Sequence, residues 1–173
     1  FLNIQINDQV SEYKDYLNNY FRDLKINKNN FFTDVSNYVA YEMGQPTHSY
    51  DFSLIKNDIT LQESTSSTSF KTLLGNNIEL EGSNLVFTSN GKVINLSGIV
   101  GGLDTACSSN TKDVLIECAY FRPDSIIGKA VKYNIHSDAS HKFERGTDPL
   151  CHEKVLRRFI EVVKDHVEIH KLE

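Results

Sequence analysis

An α+β fold, with a strand-rich central sandwich flanked by helices, is predicted by the order of the hydrophobic patterns along the chain. Two segments with helical spacing come first, short alternating segments fill the middle, and helical patterns return toward the C-terminus. Helices segregated from strands in this way are typical of α+β layering. At 173 residues, 39% of them hydrophobic, the chain is long enough to bury a core, and we predict one domain over residues 1–173.

The first two elements are predicted to be helices. Apolar and aromatic residues recur at helical spacing within residues 8–25, and Asp8 is a candidate N-cap. The same spacing recurs from Phe31 to Met43, where Gly44 just past the pattern is expected to end the helix. The short segment "DFSLIK" that follows is expected to form one helical turn.

The middle of the chain is predicted to be β-structure. Asn90-Gly91 between two apolar runs is a strong hairpin signal, because both residues tolerate positive φ. The clearest strand candidate is "DVLIECAYF", residues 113–121. Three shorter candidate strands precede the hairpin turn, at residues 59–64, 77–80 and 85–89.

Two further helices are predicted near the C-terminus, one over "DSIIGKAVKYN" and one over residues 149–167. Between them lies "IHSDASHKFERGTDP", residues 135–149, which is polar nearly throughout. We interpret this run as a scaffold loop, held by ion pairs and caps from four charged residues: Asp138, Glu144, Arg145 and Asp148.

Composition and charge argue against a protein that binds a long stretch of nucleic acid, spans a membrane or is secreted. The net charge of −5 argues against a long nucleic-acid footprint, because such surfaces are basic. No apolar stretch approaches the ~20 residues of a membrane span, and no signal peptide is recognisable. Three widely spaced cysteines favour a reducing compartment, and we expect a cytoplasmic protein. Since the chain begins at Phe1, we expect a fragment of a longer protein.

Glu117 is the first candidate for chemistry. Alternation along the predicted strand places it on one face with Leu115 and Ala119. A carboxylate among apolar neighbours is unfavourable unless a donor meets it. Two interpretations stay open at this point: a solvated glutamate on an edge strand, or a pocket carboxylate that awaits a hydroxyl or a cation.

The loops offer two further candidates. The glycines of "SGIVGG" form either a tight turn or a backbone that approaches a ligand and offers N–H groups to an oxyanion. Their spacing does not fit a phosphate-binding loop or a dinucleotide fingerprint. His48, in the loop "GQPTHSYD", is a general base, a positioning donor or a surface residue.

Two other patterns are weaker. A Ser/His/Asp triad built on Ser137 with His136 or His141 is disfavoured, because no nucleophile elbow is present and neighbours in sequence seldom face each other. His166 and His170 stand four residues apart without an evident third ligand, so no metal site is predicted.

Four separated phrases then resemble one family: "NYVAYEMGQPTHSYD", "LSGIVGG", "LIECAYFRPDSI" and "SDASHKFERGTDP". In this order and spacing they are similar to the B3/B4 domain of the bacterial phenylalanyl-tRNA synthetase β subunit. The resemblance covers about residues 30–165 and implies a layered B3/B4-type fold. It also implies a post-transfer editing activity, which hydrolyses the ester of misacylated Tyr-tRNA(Phe).

The resemblance assigns roles to individual residues. It implies that Glu117 reads the tyrosine hydroxyl, that His48 lies near the scissile ester, and that Gly98 and Gly101 belong to the loop beside the substrate. From these positions we expect His48 to position water or the ribose, and the backbone of Gly98 and Gly101 to contact the oxyanion. Three further positions match substrate-binding residues of the family: Asn37, Ser137 and Ala139.

The resemblance also implies partners and leaves alternatives. The implied partners are the aminoacylated 3′ end of tRNA(Phe) and the α subunit of an α2β2 synthetase, with no membrane. No cofactor is implied for this domain, whereas ATP and Mg²⁺ belong to the whole synthetase. The chain departs from the family at "HSYD", where His-Ala-Phe-Asp is usual, and at Ser137, where threonine is usual. The alternatives are a non-catalytic structural or RNA-docking module of the same synthetase and an amino-acid-binding sensor.

Overall fold

The computed structural model describes residues 1–173 and confirms the α+β class. The helices are α1 Asp15–Leu24, α2 Phe31–Met43, α3 Pro123–Ile126, α4 Lys129–Lys132, α5 Asp138–Arg145 and α6 His152–His166. The strands are β1 Leu2–Ile6, β2 His48–Asp51, β3 Ile59–Ser64, β4 Thr68–Lys71, β5 Asn77–Leu80, β6 Asn84–Ser89, β7 Lys92–Leu96, β8 Val100–Gly101, β9 Asp113–Glu117 and β10 Ile169–Leu172. No helix is long and apolar enough to cross a bilayer.

The chain divides into two compact units, each built from separated segments. Unit 1 comprises Phe1–Phe52, Cys107–Ala119 and Pro149–Glu173. Unit 2 comprises Ser53–Ala106 and Tyr120–Asp148.

Unit 1 is an antiparallel sheet with helices packed on one face. The strand order is β10-β1-β9-β2, so β9 is an inner strand. Val114 and Ile116 of β9 are fully buried and join side chains of α1, α2 and α6 in one apolar cluster. The three cysteines form no disulfide and pack against this cluster. Because successive side chains of a strand point to opposite faces, the side chain of Glu117 lies on the face of β9 that is opposite Val114 and Ile116.

The prediction for α2 is confirmed, whereas the predicted start of α1 is wrong. The side chain of Asn30 caps α2 by accepting from the Thr33 amide at 3.1 Å, and Gly44 ends the helix with a φ of 76°. Helix α1 begins at Asp15 rather than near Asp8. The residue before Asp15 makes a contact outside the helix: the Lys14 amide donates to His166 Nε2 of α6 at 3.0 Å, and no side chain caps the N-terminus of α1.

Strands β1 and β10 were not predicted. They pair antiparallel with each other, and β1 also pairs with β9. Both strands are short and only partly apolar, so their stability comes from pairing rather than from local pattern.

Unit 2 contains a four-stranded sheet, in the order β3-β6-β7-β8, and the two-stranded sheet β4-β5. The hairpin between β6 and β7 is confirmed, with Asn90 and Gly91 at φ 50° and 72°. The short helical turn predicted after Asp51 is also confirmed, as a 3-10 turn over Phe52–Leu54.

The C-terminal helices differ from their predicted bounds. The single helix predicted after Pro123 is two short helices, α3 and α4, because Ile127 leaves the helical conformation at ψ 130° and Gly128 is left-handed at φ 77°. Helix α6 starts at His152 rather than at Pro149, and the predicted strand 113–121 ends at Glu117.

The polar run 135–149 contains a helix, which corrects its prediction as a loop. Ser137 caps α5 by accepting from the Ser140 amide at 3.1 Å. Glu144 accepts from the Gly128 amide at 3.3 Å, and Arg145 contacts His141, so the predicted ion pairs do not form among Asp138, Glu144 and Arg145.

Candidate functional site

Strand pairing between β2 and β9 assembles the candidate site of unit 1. His48 lies opposite Glu117, and Tyr50 lies opposite Leu115. Opposed residues of an antiparallel pair point to the same face, and alternate residues of one strand share a face. The side chains of His48, Tyr50 and Glu117 therefore project from one face of the sheet, and we call them the acid–phenol–imidazole group.

Glu117 is buried and hydrogen-bonded. Glu117 is 5% exposed, and its Oε2 atom accepts a hydrogen bond of 2.6 Å from the phenol of Tyr50. Tyr50 is fully buried. This length is that of a charge-assisted O–H···O bond. Burial raises the pKa of Glu117 to about 7, although the Tyr50 hydrogen bond acts in the opposite direction. The interpretation as a solvated glutamate on an edge strand is wrong, because β9 lies between β1 and β2.

His48 stands beside this pair as a neutral imidazole. Its ring is 4.4 Å from the Tyr50 ring between centroids, nearly perpendicular to it at 78°. Burial lowers the pKa of His48 to about 4. Its Nε2 atom is buried without a hydrogen-bond partner in the protein. A neutral imidazole offers one donor and one acceptor, so this nitrogen is suited to a water or hydroxyl group of a ligand.

Gln45 fixes the loop that leads to His48, a role that no sequence pattern predicted. The side chain is 1% exposed, and Nε2 donates to the carbonyl groups of Ala119 at 2.8 Å and Pro46 at 3.1 Å. It thereby ties the segment before His48 to the segment just after Glu117. The place of Gln45 directly after the helix-ending Gly44 is its only signal in the sequence.

Asn37 is not brought into this group. Helix α2 meets the opposite face of the sheet, where Ser36 and Ser49 share a hydrogen bond of 2.7 Å between buried hydroxyls. The side chain of Asn37 is exposed on α2, and its carbonyl accepts from the phenol of Tyr20 at 3.3 Å. A substrate contact by Asn37 stays a prediction.

In unit 2, the candidate glycines are buried: Gly98 lies in the tight turn between β7 and β8, Gly101 ends β8, and Gly102 follows it. Gly98 has a φ of 70°, and a Cβ atom there would stand 3.0 Å from Ile126 and Phe121. Gly102 approaches the Ile94 carbonyl so closely that a Cβ atom would stand 2.7 Å from its oxygen. The amides of Ile99 and Gly102 already donate to backbone carbonyls. Conformation and packing thus explain Gly98 and Gly102, and the oxyanion contacts of Gly98 and Gly101 stay a prediction.

Ser137 is joined to this turn. Its hydroxyl donates to the Ile99 carbonyl at 2.7 Å while it caps α5. Unit 2 therefore brings Ser137 and the glycine turn together, with Ala139 half-buried in the first turn of α5. The hydroxyl thus has structural hydrogen bonds on both sides, to the Ile99 carbonyl and the Ser140 amide.

The histidine pair near the C-terminus is explained by structure. His166 Nε2 accepts from the Lys14 amide, and Nδ1 lies 2.7 Å from the Val162 carbonyl, so both ring nitrogens are engaged. His170 lies in β10. No group of three His, Cys, Asp or Glu side chains that could hold a metal ion is present.

The fold and the site together define a class: an α+β domain with a buried acid that accepts a phenol hydroxyl beside a neutral imidazole, without a phosphate-binding loop. The chain belongs to the B3/4 domain family, whose model matches residues 3–168. This confirms the resemblance drawn from the four sequence phrases.

Three relatives are each named phenylalanine–tRNA ligase beta subunit. The relative from Dickeya dadantii is 37% identical over 132 residues, which is 76% of this chain and 17% of the relative. The relative from Francisella tularensis is 34% identical over 135 residues, 78% of this chain and 17% of the relative. The relative from Legionella pneumophila is 39% identical over 130 residues, 75% of this chain and 16% of the relative. The matched part of the chain thus spans only 16–17% of the length of these relatives.

Proposed function

We propose that this chain is the editing domain of a phenylalanyl-tRNA synthetase β subunit and hydrolyses the ester of misacylated Tyr-tRNA(Phe). The observation that carries the proposal is Glu117, a buried carboxylate that accepts a phenol hydroxyl at 2.6 Å. Membership of the B3/4 domain family and the relatives named as beta subunits support it.

The recognition step follows from the environment of Glu117. Phenylalanine and tyrosine differ by one hydroxyl, which an apolar pocket scarcely distinguishes. A desolvated carboxylate gains a hydrogen bond from tyrosine, whereas phenylalanine offers it no donor. The proposed role of Glu117 is therefore to select the tyrosyl ester and to spare the cognate product.

The hydrolytic step uses water rather than a protein nucleophile. Water adds to the ester carbonyl carbon, the bond from that carbon to the ribose oxygen breaks, and the ribose oxygen takes up a proton from the attacking water as tyrosine is released. His48, neutral because burial lowers its pKa to about 4, is suited to orient the water or the ribose through Nε2. Backbone amides of Gly98 and Gly101 are the proposed oxyanion donors.

The remaining assignments belong to the same proposal. Asn37, Ser137 and Ala139 are proposed substrate contacts. The proposed partners are the aminoacylated 3′ end of tRNA(Phe) and the α subunit of an α2β2 enzyme in the cytoplasm. No cofactor is proposed for this domain, and ATP and Mg²⁺ are assigned to the synthetic reaction of the whole synthetase.

Deacylation of purified Tyr-tRNA(Phe) and Phe-tRNA(Phe) by the complete synthetase tests the proposal. Glu117→Ala is expected to abolish the preference for the tyrosyl ester. His48→Ala is expected to lower kcat more than it raises KM, because its role is in the hydrolytic step. Glu79→Ala and His170→Ala change the same residue types at exposed positions and serve as controls.

Each result decides between the candidate functions. If the tyrosyl ester is hydrolysed only at the uncatalysed rate, the result contradicts editing and favours a structural or RNA-docking module. Binding of tyrosine without hydrolysis favours an amino-acid sensor. Wild-type selectivity in Glu117→Ala removes Glu117 from recognition, and unchanged turnover in His48→Ala removes His48 from the mechanism.

A further inference from the structure

The carboxylate that is proposed to read a substrate phenol is already in contact with a phenol of the same chain. Tyr50 Oη donates to Glu117 Oε2 at 2.6 Å across the β2–β9 pair. The Tyr50 residue is fully buried. Its ring is also packed edge-on against His48. Glu117 therefore has a donor before any ligand arrives.

This resident donor changes the basis of discrimination. A site that separates a hydroxylated substrate from its deoxy analogue by ~10⁴–10⁵ does so because the analogue leaves a buried polar group unpaired. With Tyr50 in place, phenylalanine does not leave Glu117 without a donor. The incoming tyrosine in turn meets a carboxylate whose Oε2 already accepts a hydrogen bond.

We propose that Tyr50 is a specificity-determining residue that reduces the preference of this chain for tyrosyl over phenylalanyl esters. The inference rests on the proposed function for the identity of the two ligands. It concerns the ratio of their affinities rather than the ability to hydrolyse them. Tyr50 acts through Glu117, so its effect must depend on the carboxylate.

Two non-hydrolysable probes measure that ratio: 3′-(L-tyrosyl)amino-3′-deoxyadenosine and its phenylalanyl counterpart. Their binding to the complete synthetase is followed by calorimetry at pH 8.5, with the synthetic site of the α subunit blocked. In the wild-type protein we expect a tyrosyl-to-phenylalanyl affinity ratio below ~10³, short of the discrimination reached when the carboxylate is unpaired. A wild-type ratio of ~10⁴ or more overturns the proposal without any variant.

Tyr50→Phe removes only the hydroxyl and is expected to raise the ratio roughly tenfold or more, the value of one hydrogen bond to a charged group. In a Glu117→Gln background, the same change is expected to raise the ratio much less. Tyr13→Phe is the matched control, because Tyr13 also donates to a carboxylate of unit 1, Asp34 Oδ2, at 2.8 Å.

The outcomes separate this inference from the proposed function. A ratio that is unchanged or lower in Tyr50→Phe overturns the inference, and a lower ratio identifies Tyr50 as a residue that orients Glu117. Failure of both probes to bind in either protein also overturns it. A higher ratio in a protein that does not hydrolyse Tyr-tRNA(Phe) supports the inference and contradicts the editing activity.

Discussion

Replacing Glu117 by glutamine is expected to change how the stability of this chain depends on pH. The side chain of glutamine keeps an oxygen that can accept from Tyr50 and has no charge to bury. Burial raises the pKa of Glu117 from its ordinary 4.5 to about 7. The two proteins therefore differ mainly in the free energy of holding an ionised carboxylate in the folded state.

The sign and size follow from proton linkage. Between pH 4.5 and about 7, the folded chain retains a proton that the unfolded chain has lost. The contribution of Glu117 is thus fully present below pH 4.5 and is lost as pH rises through about 7. At about 1.4 kcal/mol for each pH unit, the lost stability is about 3 kcal/mol. Glutamine does not titrate, so the variant avoids this loss.

Urea unfolding of the 173-residue chain at pH 4 and pH 8, followed by circular dichroism, measures the effect. The free energy of unfolding of Glu117→Gln minus that of the wild type is expected to rise by about 3 kcal/mol between these pH values. Glu79→Gln, at an exposed position of β5, controls for the loss of a carboxylate elsewhere. The titration of groups that do not interact with Glu117 cancels in the difference, whereas that of the Phe1 amino group, whose charge lowers the pKa of Glu117, does not.

A difference that stays the same at pH 4 and pH 8 would falsify the reasoning. It would mean that Glu117 is ionised in the folded chain at acidic pH, and therefore that burial does not govern its titration. A difference that falls with pH would require an ionised Glu117 to be favoured over glutamine by the fold.

Three further substitutions test residues whose packing or hydrogen bonds hold the candidate site in place, and each is measured by the free energy of unfolding. Gly98→Ala is expected to be more destabilising than Gly91→Ala by about 1–3 kcal/mol, because both have positive φ but only Gly98 has side chains 3.0 Å from the added Cβ. Equal losses contradict this. Ser49→Ala is expected to cost about 1–3 kcal/mol, because the buried Ser36 hydroxyl loses its hydrogen-bond partner. Replacing both serines by alanine is expected to cost less than the sum of the two single changes. Additive losses contradict the pairing. Gln45→Leu is expected to cost about 1–3 kcal/mol, since two carbonyl groups lose their donor. An unchanged free energy of unfolding contradicts a role of Gln45 in fixing the loop before His48.

Much of the fold is readable from local patterns. Helix α2 has a cap, an apolar stripe and a terminating Gly44, and all three signals lie within 15 residues of each other. The Asn90-Gly91 turn is local in the same sense. Two of the failed predictions involve distant contacts: the Lys14 amide just before α1 donates to His166, 152 residues away, and strand pairing stabilises β1 and β10.

The candidate site shows the same division. Alternation along β9 places Glu117 opposite the core face, and the family motifs identify His48 and Glu117 as residues of interest. The departure at "HSYD" is visible in the sequence, but its consequence is not. Tyr50 and Glu117 are 67 residues apart, and only the register of β2 on β9 brings the hydroxyl to the carboxylate.

The sequence by itself determined the α+β class, the helix and hairpin whose signals are local, the family and the residue types available for chemistry. These follow from periodicity, turn chemistry and motifs, which act over a few residues. Tertiary structure alone decided that Glu117 lies on an inner strand, that its pKa rises on burial, that Gln45 holds the adjoining loop, and that Tyr50 supplies its donor. The physical reason is that desolvation and hydrogen-bond partners depend on segments far apart in the chain, which meet only when the sheet is formed.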